Sequence, residues 1–117
     1  MNAEHRKTQR YRLPARVPVY NGLSGSVEGV LGNLSSDGLM LIADHPFHEE
    51  SLFQLSFKLP DPSDPEARVI ELGAQCLWCD SAASAGTYWA GFKIVDVSSE
   101  DLHFIQQVLK AVSESTG

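Results

Sequence analysis

From residue 52 to residue 59 the chain reads LFQLSFKL, and apolar and polar side chains alternate almost without a break. Phe53, Leu55, Phe57 and Leu59 fall on one side, with Gln54, Ser56 and Lys58 on the other. A period of two marks a strand with one buried face. The pattern recurs. Residues 67–79 place Ile70, Leu72, Ala74, Cys76 and Trp78 on one side, and residues 87–95 do the same with Tyr88, Ala90, Phe92 and Ile94. Shorter pieces at 16–20, 26–33 and 39–43 bring the number to about six strands. No helical pattern separates any two of them, which removes the crossovers that a parallel sheet needs. The fold expected is all-β in the main: a six-stranded antiparallel β-barrel, closed because closure removes exposed edges.

The connections follow from turn chemistry. PDPSDP at 60–65 reads as a loop, since three prolines cannot donate to a ladder, and SAASAG at 81–86 reads as another. Only the C-terminus changes period. Ser98 stands three residues before Asp101 in a capping-box-like start, and Glu100 and Asp101 favour a helix N-terminus. Leu102, Ile105, Leu109 and Val112 then recur at helical spacing, widened by Phe104 and Val108. This predicts one amphipathic C-terminal helix over 98–113 that must dock on the barrel. The organisation expected is a single domain: a flexible N-terminal arm over 1–15, the barrel over 16–96 and the helix.

Charge is placed unevenly. Five of the nine basic residues, Arg6, Lys7, Arg10, Arg12 and Arg16, lie in the first sixteen positions against one acid, Glu4, so that segment carries +4. The other 101 residues hold four basic and fourteen acidic side chains and carry −10. A basic arm on an acidic body suits an arm that meets an anion. It does not suit a nucleic acid polymer, which needs a wide basic face. No apolar run approaches the ~18 residues of a membrane span. The N-terminus lacks the apolar stretch of a secretory signal, so the expected compartment is the cytoplasm and no direct membrane insertion is expected.

The remaining chemistry is sparse. Cys76 and Cys79 form a C-x-x-C inside a strand-like run, where positions three apart point to opposite faces. They read as two structural thiols, since a zinc site needs two more ligands and His5, His45, His48 and His103 supply no second pair at ligand spacing. No nucleophile–base pair, metal-ligand set or carboxylate pair stands at a convincing spacing, so no enzyme, metal or cofactor is expected.

Two short motifs carry the functional reading. Arg6-Lys7-Thr8-Gln9-Arg10 is an R-x-x-x-R, and Asn33-Leu34-Ser35-Ser36-Asp37-Gly38 fits [D/N]-x-S-x-x-G. In this order, near the start of a small β domain, the pair resembles the PilZ family of cyclic di-GMP receptors. Ala74-Gln75-Cys76-Leu77-Trp78 looks like that family's late strand. Ala90-Gly91-Phe92, Asp96 and the terminal helix look like its closing strand and helix. The resemblance covers nearly the whole chain and implies a stand-alone member.

It implies roles residue by residue. Arg6 and Arg10 would meet phosphate and guanine, because guanidinium is planar and always charged and can fork onto either group or stack on a purine. Asn33 and Ser35 would meet guanine edge and phosphate from the barrel side, with Gly38 allowing a tight turn. Asn33, Ser35 and Gly38 also suit a plain turn. Gln9 and Arg12 are candidates for added contacts. Arg12 and Arg16 form a second R-x-x-x-R, but it runs into the first strand, so Arg6 and Arg10 are preferred. Trp78 suits stacking under a guanine or core packing. Asp37 departs from the two glycines common at the motif's end and places an anion beside a phosphate site. His5 leaves open whether one ligand or a stacked pair binds.

The function implied is a cyclic di-GMP receptor or adaptor whose arm orders over the ligand and regulates an unidentified effector protein. The alternative is a ligand-independent interaction domain of the same fold, of the type that serves type IV pilus assembly.

Overall fold

A computed structural model of the chain describes residues 16–61 and 64–116. Six strands, β1 (Pro18–Asn21), β2 (Val27–Leu34), β3 (Gly38–Ala43), β4 (Leu52–Asp61), β5 (Asp64–Ser81) and β6 (Tyr88–Val97), precede one helix, α1 (Ser99–Thr116). Every strand pairing is antiparallel, and the order β1-β2-β3-β6-β5-β4 closes on itself as a barrel. The fold is therefore the six-stranded barrel with a C-terminal helix that the alternation predicts. The arm expected over 1–15 lies outside the described residues.

Alternation does the work inside. Leu55, Phe57 and Leu59 of β4, Ile70, Leu72, Ala74 and Cys76 of β5, and Ala90 and Phe92 of β6 are all buried in one cluster. Phe47, Phe53 and Phe92 meet edge to face, with ring centroids 5.3 to 5.7 Å apart. That geometry sets the positive edge of one ring against the negative face of the next. The 60–65 segment departs from the loop expected there. β4 runs through Pro60 to Asp61, β5 begins at Asp64, and Asp61 pairs with Asp64. The register slips between Leu59 and Asp61, and a bulge is where a proline without an N–H can sit in a ladder.

Parity also fails late in β5, for the same kind of reason. Cys76 pairs with Phe92, but Trp78, two residues on, pairs with the very next residue, Gly91. Leu77 is the extra residue of a bulge. Trp78 is therefore turned off the inner face where strict alternation puts it. Cys79, expected on the face opposite Cys76, packs instead against the same core, and its sulfur accepts the Phe47 N–H at 3.4 Å. Both cysteines are free thiols.

The helix docks through its apolar stripe and one acid. Ile105, Val108, Leu109 and Val112 join the barrel cluster. Ser98 Oγ accepts the Asp101 N–H at 3.0 Å, which caps the first turn. Asp101, not Leu102, is the buried residue of that turn, at 8% exposure. Its carboxylate accepts Arg68 Nε at 2.9 Å and the Glu71 N–H at 3.2 Å, both on β5. Arg68 also lies 5.8 Å from the Phe104 ring centre. No helix among the described residues is long and apolar enough to cross a membrane.

Asp101→Ala leaves the Glu71 N–H and the Arg68 guanidinium without their buried carboxylate and should cost about 2 kcal/mol in urea unfolding, the usual cost of losing hydrogen bonds to a charged group. Arg68→Ala removes a half-exposed partner and should cost under ~1 kcal/mol. Equal losses would overturn this division. Burial, and then the neighbouring Cys79, push the Cys76 thiol above its ordinary value. A thiol raised in the folded state stabilises fully below its unfolded pKa, ~8.5, and that contribution is lost as pH rises toward the folded value. The urea midpoint should fall with pH in that range, and Cys76→Ala should flatten the fall.

Candidate functional site

The second motif forms the turn from β2 to β3, and a single hydroxyl organises it. Ser35 is fully buried. Its Oγ accepts the Gly38 N–H at 3.0 Å and the Asp37 N–H at 3.4 Å. It stands 2.9 Å from Asp37 Oδ1 and 3.1 Å from the Gly38 carbonyl, with one proton to give. The Ser35 N–H donates to the Gly38 carbonyl at 2.8 Å, and Ile94 N–H ties the Asp37 carbonyl to β6 at 2.9 Å. The serine hydroxyl thus takes the place of a backbone carbonyl in closing the turn. The Asp37 carboxylate, an unwelcome anion on the sequence alone, is engaged by that hydroxyl. Gly38 does not serve as a left-handed residue: among the described glycines only Gly25 and Gly86 have positive φ. It is instead a buried first residue of β3, opposite Lys93.

Asn33 owes its position to a bulge in β2. Leu31 pairs with Leu41, but Asn33 pairs with Met40, so Gly32 is the extra residue. A Cβ on Gly32 would stand 2.6 Å from Met40 Cε. Asn33 and Met40 face outward, since their neighbours Leu34, Leu39 and Leu41 are fully buried. Asn33 Nδ2 lies 3.9 Å from Met40 Sδ, a weak contact. Asn33 Oδ1 is buried and has no hydrogen-bond partner. A carbonyl in that state carries a desolvation cost that a donor would remove.

The row continues across the sheet. Met40 pairs with Gly91, and Gly91 with Trp78. Ala90 and Phe92 point inward, so Gly91 faces out, and a Cβ there would overlap the Trp78 indole. The indole therefore lies over the glycine. Asn33, Met40, Gly91 and Trp78 therefore make one line over four strands, with a buried acceptor at one end and an aromatic face at the other. Ser35 and Gly38 form the turn beyond it. Sequence reading singles out neither Met40 nor Gly91. Their signal is parity, for each stands alone on the outer side between buried neighbours. Arg6, Gln9, Arg10 and Arg12 lie outside the described residues. The described chain begins at Arg16. The Leu31 N–H donates to the Val17 carbonyl at 2.9 Å, which brings the start of β1 alongside the Gly32 bulge. No group of three metal-ligating side chains gathers among the described residues.

The PilZ domain family profile matches residues 4–111. The chain is similar in fold to the PilZ domain of Escherichia coli YcgR solved with cyclic di-GMP. TM-score there is 0.70 at 15% identity, over 96% of this chain and 94% of that one. It is also similar to the E. coli YcgR–cyclic di-GMP complex (TM-score 0.74, 17% identity, 96% and 47% covered). The Bacillus subtilis inhibitor of motility MotI/DgrA gives 0.73 at 17% identity, over 91% of this chain, which spans about half of that one (50%). No curated protein sequence matches the chain.

Gly91→Ala should force the indole off the sheet. The near-ultraviolet circular dichroism of Trp78 should weaken and stability should fall by about 1–3 kcal/mol, the usual cost of overpacking. An unchanged spectrum would show that the indole does not rest on Gly91.

Proposed function

The chain belongs to the PilZ domain family, and from that premise we propose that it is a receptor for cyclic di-GMP, acting through an effector protein. The observation that carries this reading is the buried, unpartnered Asn33 Oδ1 at the end of that row. Guanine presents N–H donors on its Watson–Crick edge, and a purine face is what an indole such as Trp78 stacks against. The row thus offers one acceptor for a guanine edge and one surface for a guanine plane. The homologous fold solved with cyclic di-GMP in E. coli YcgR supports the same ligand class.

The phosphates need cations, and residues 1–15 carry them, as the arm of a single domain. Arg10 lies six residues before Arg16, a reach of up to ~20 Å in extended chain, and Arg6 four more, ~35 Å. Three strand spacings from β2 to β5 span only ~14 Å. Arg6 and Arg10 are assigned to phosphate and guanine, with Gln9 and Arg12 as further contacts. Ser35 and Gly38 act from the turn. The Ser35 hydroxyl is already committed locally, so its part is to hold the backbone beside the phosphates in place. This reading requires no catalysis and places the chain in the cytoplasm, where cyclic di-GMP is made.

Calorimetry with cyclic di-GMP, with GTP and cyclic GMP as controls, tests it. The expected result is a Kd near or below ~1 µM, about 8 kcal/mol, with one or two ligands per chain. Arg6→Ala and Arg10→Ala should each weaken binding by about 2 kcal/mol, ~30-fold, as loss of a charge-assisted contact does. Asn33→Ala should also weaken binding while leaving the fold intact. No heat and no thermal shift at ~100 µM, a bound near −5 kcal/mol, would sink the reading and favour the ligand-independent interaction domain.

A further inference from the structure

One step along the strands from the Asn33–Trp78 row lies a second, more exposed row. Val30 pairs with Ile42, Ile42 with Trp89, and Trp89 with Asp80. Ile42 is 37% and Trp89 47% exposed, while their chain neighbours Leu41 and Ala90 point inward and are fully buried. Met40 and Ile42 on β3, and Gly91 and Trp89 on β6, are neighbours on that outer face, so the apolar parts of the two rows adjoin, and contiguous exposed apolar surface marks a contact site. A cavity of about 380 Å³ opens beside Val30 and Ile42, walled also by Arg16, Glu28, Asp44 and Thr87. Its rim is acidic. Asp44 is almost wholly exposed, while Glu28 is bound by His45 at 3.2 Å and by Asn21 at 2.9 Å. Asp80 closes the far end of the row and is exposed. The His45 hydrogen bond lowers the Asp44 pKa, so this acid keeps its charge well below neutral pH.

We propose that this apolar, acid-rimmed ledge of Val30, Ile42 and Trp89 is the docking surface of the chain's own residues 1–15 when no nucleotide is bound. The segment's point of departure argues for it: Arg16, the first described residue, is itself a wall of the cavity. Its length suffices, since the ~20 Å from Arg16 back to Arg10 exceeds the ~14 Å from β2 to β5. Its charge is complementary, with four cations against Glu4 giving residues 1–15 +3, while the rest of the chain is acidic. Its two large apolar residues next to the cations, Tyr11 and Leu13, alternate with Arg10 and Arg12. Alternate residues of an extended chain share a side, which would bring Tyr11 and Leu13 to the ledge together, and an arginine stem is long enough to reach a rim carboxylate from there. Nucleotide on the neighbouring row competes for the same arginines and draws the segment off the ledge. Only this release rests on the receptor reading, and the ligand-free contact stands without it.

Limited trypsin digestion of the full chain without nucleotide, followed at Arg10 and Arg12 by mass spectrometry, tests the contact. Trp89→Ser removes the exposed ring without changing charge and should speed cleavage at both sites at least ~5-fold. Asp44→Asn with Asp80→Asn should also speed it and abolish its dependence on salt, because exposed pairs are screened. Wild-type cleavage as fast as that of a free peptide of residues 1–16, unchanged by either variant, overturns the proposal. Protection that grows with protein concentration overturns it too, because the segment would then lie on a second copy. In calorimetry Trp89→Ser should bind cyclic di-GMP a few-fold more tightly, since freeing the competent state removes a competing equilibrium. Weaker binding would instead place Trp89 in the nucleotide site and overturn the competition. Absence of any binding would count against the receptor reading and leave the digestion result to decide the contact.

Discussion

Two interruptions of strand alternation govern the outer face of this barrel. A closed sheet of six strands must send every second residue inward, and the buried cluster shows how fully this chain obeys. At Gly32 and at Leu77 one extra residue enters a strand, and the count of inside and outside shifts. Each bulge lies beside the central pair β3–β6, one on either flank. Asn33 is turned out on one side and Trp78 on the other, with Met40 and Gly91 between them as a floor. Without the bulges Trp78 would share the core with Cys76, and no row would exist. Bulges re-aim side chains in just this way.

The turn and the helix hold that face in place by different means. At the turn a buried hydroxyl satisfies two N–H groups, Gly38 and Asp37. The strand pair opens at a fixed angle without any residue in a left-handed conformation. At the far end of the chain Asp101 links the helix N-terminus to β5 through one charged and one neutral donor. A carboxylate can be buried there because its oxygens are hydrogen-bonded and a guanidinium lies against it. Both devices use a polar group inside the structure, but they differ in reach along the sequence. Ser35 bonds within three residues, whereas Asp101 reaches back thirty or more.

That difference explains what was legible in the sequence. Strand number, pairing sense, closure and the terminal helix follow from periodicity, which is a local property of the chain. Ser35 and the motif around it were legible for the same reason. The strands at Pro60 and Pro65 were not, because a ladder tolerates proline wherever a bulge removes the need for its N–H, and bulges have no composition of their own. Leu77 looks like any other strand residue, so the side taken by Trp78 and the shared side of Cys76 and Cys79 could not be read. Nor could the pairing of Met40 with Gly91, which depends on which strands become neighbours across the closure. The buried Asn33 oxygen is a product of such a pairing too.

The charge division gains a structural meaning once the two outer rows are placed side by side. A segment of +3 attached to an acidic domain always has somewhere to rest, so the useful question is what an anionic ligand must displace. On this barrel the acidic groups nearest the departing chain, Glu28 and Asp44, flank apolar side chains, and the unsatisfied acceptor lies one row away. A ligand bringing its own phosphates to the Asn33–Trp78 row, as proposed, would offer the arginines a stronger partner than exposed carboxylates, because phosphate accepts two parallel guanidinium bonds in a partly desolvated site. The difference between those two partners is the free energy available to move the segment, and a switch can use no more than that difference. Acidity of the body therefore need not oppose binding of an anion. On the proposed contact it lowers the affinity that the cations alone would give, and in exchange it would give the ligand-free state an arrangement to be released from.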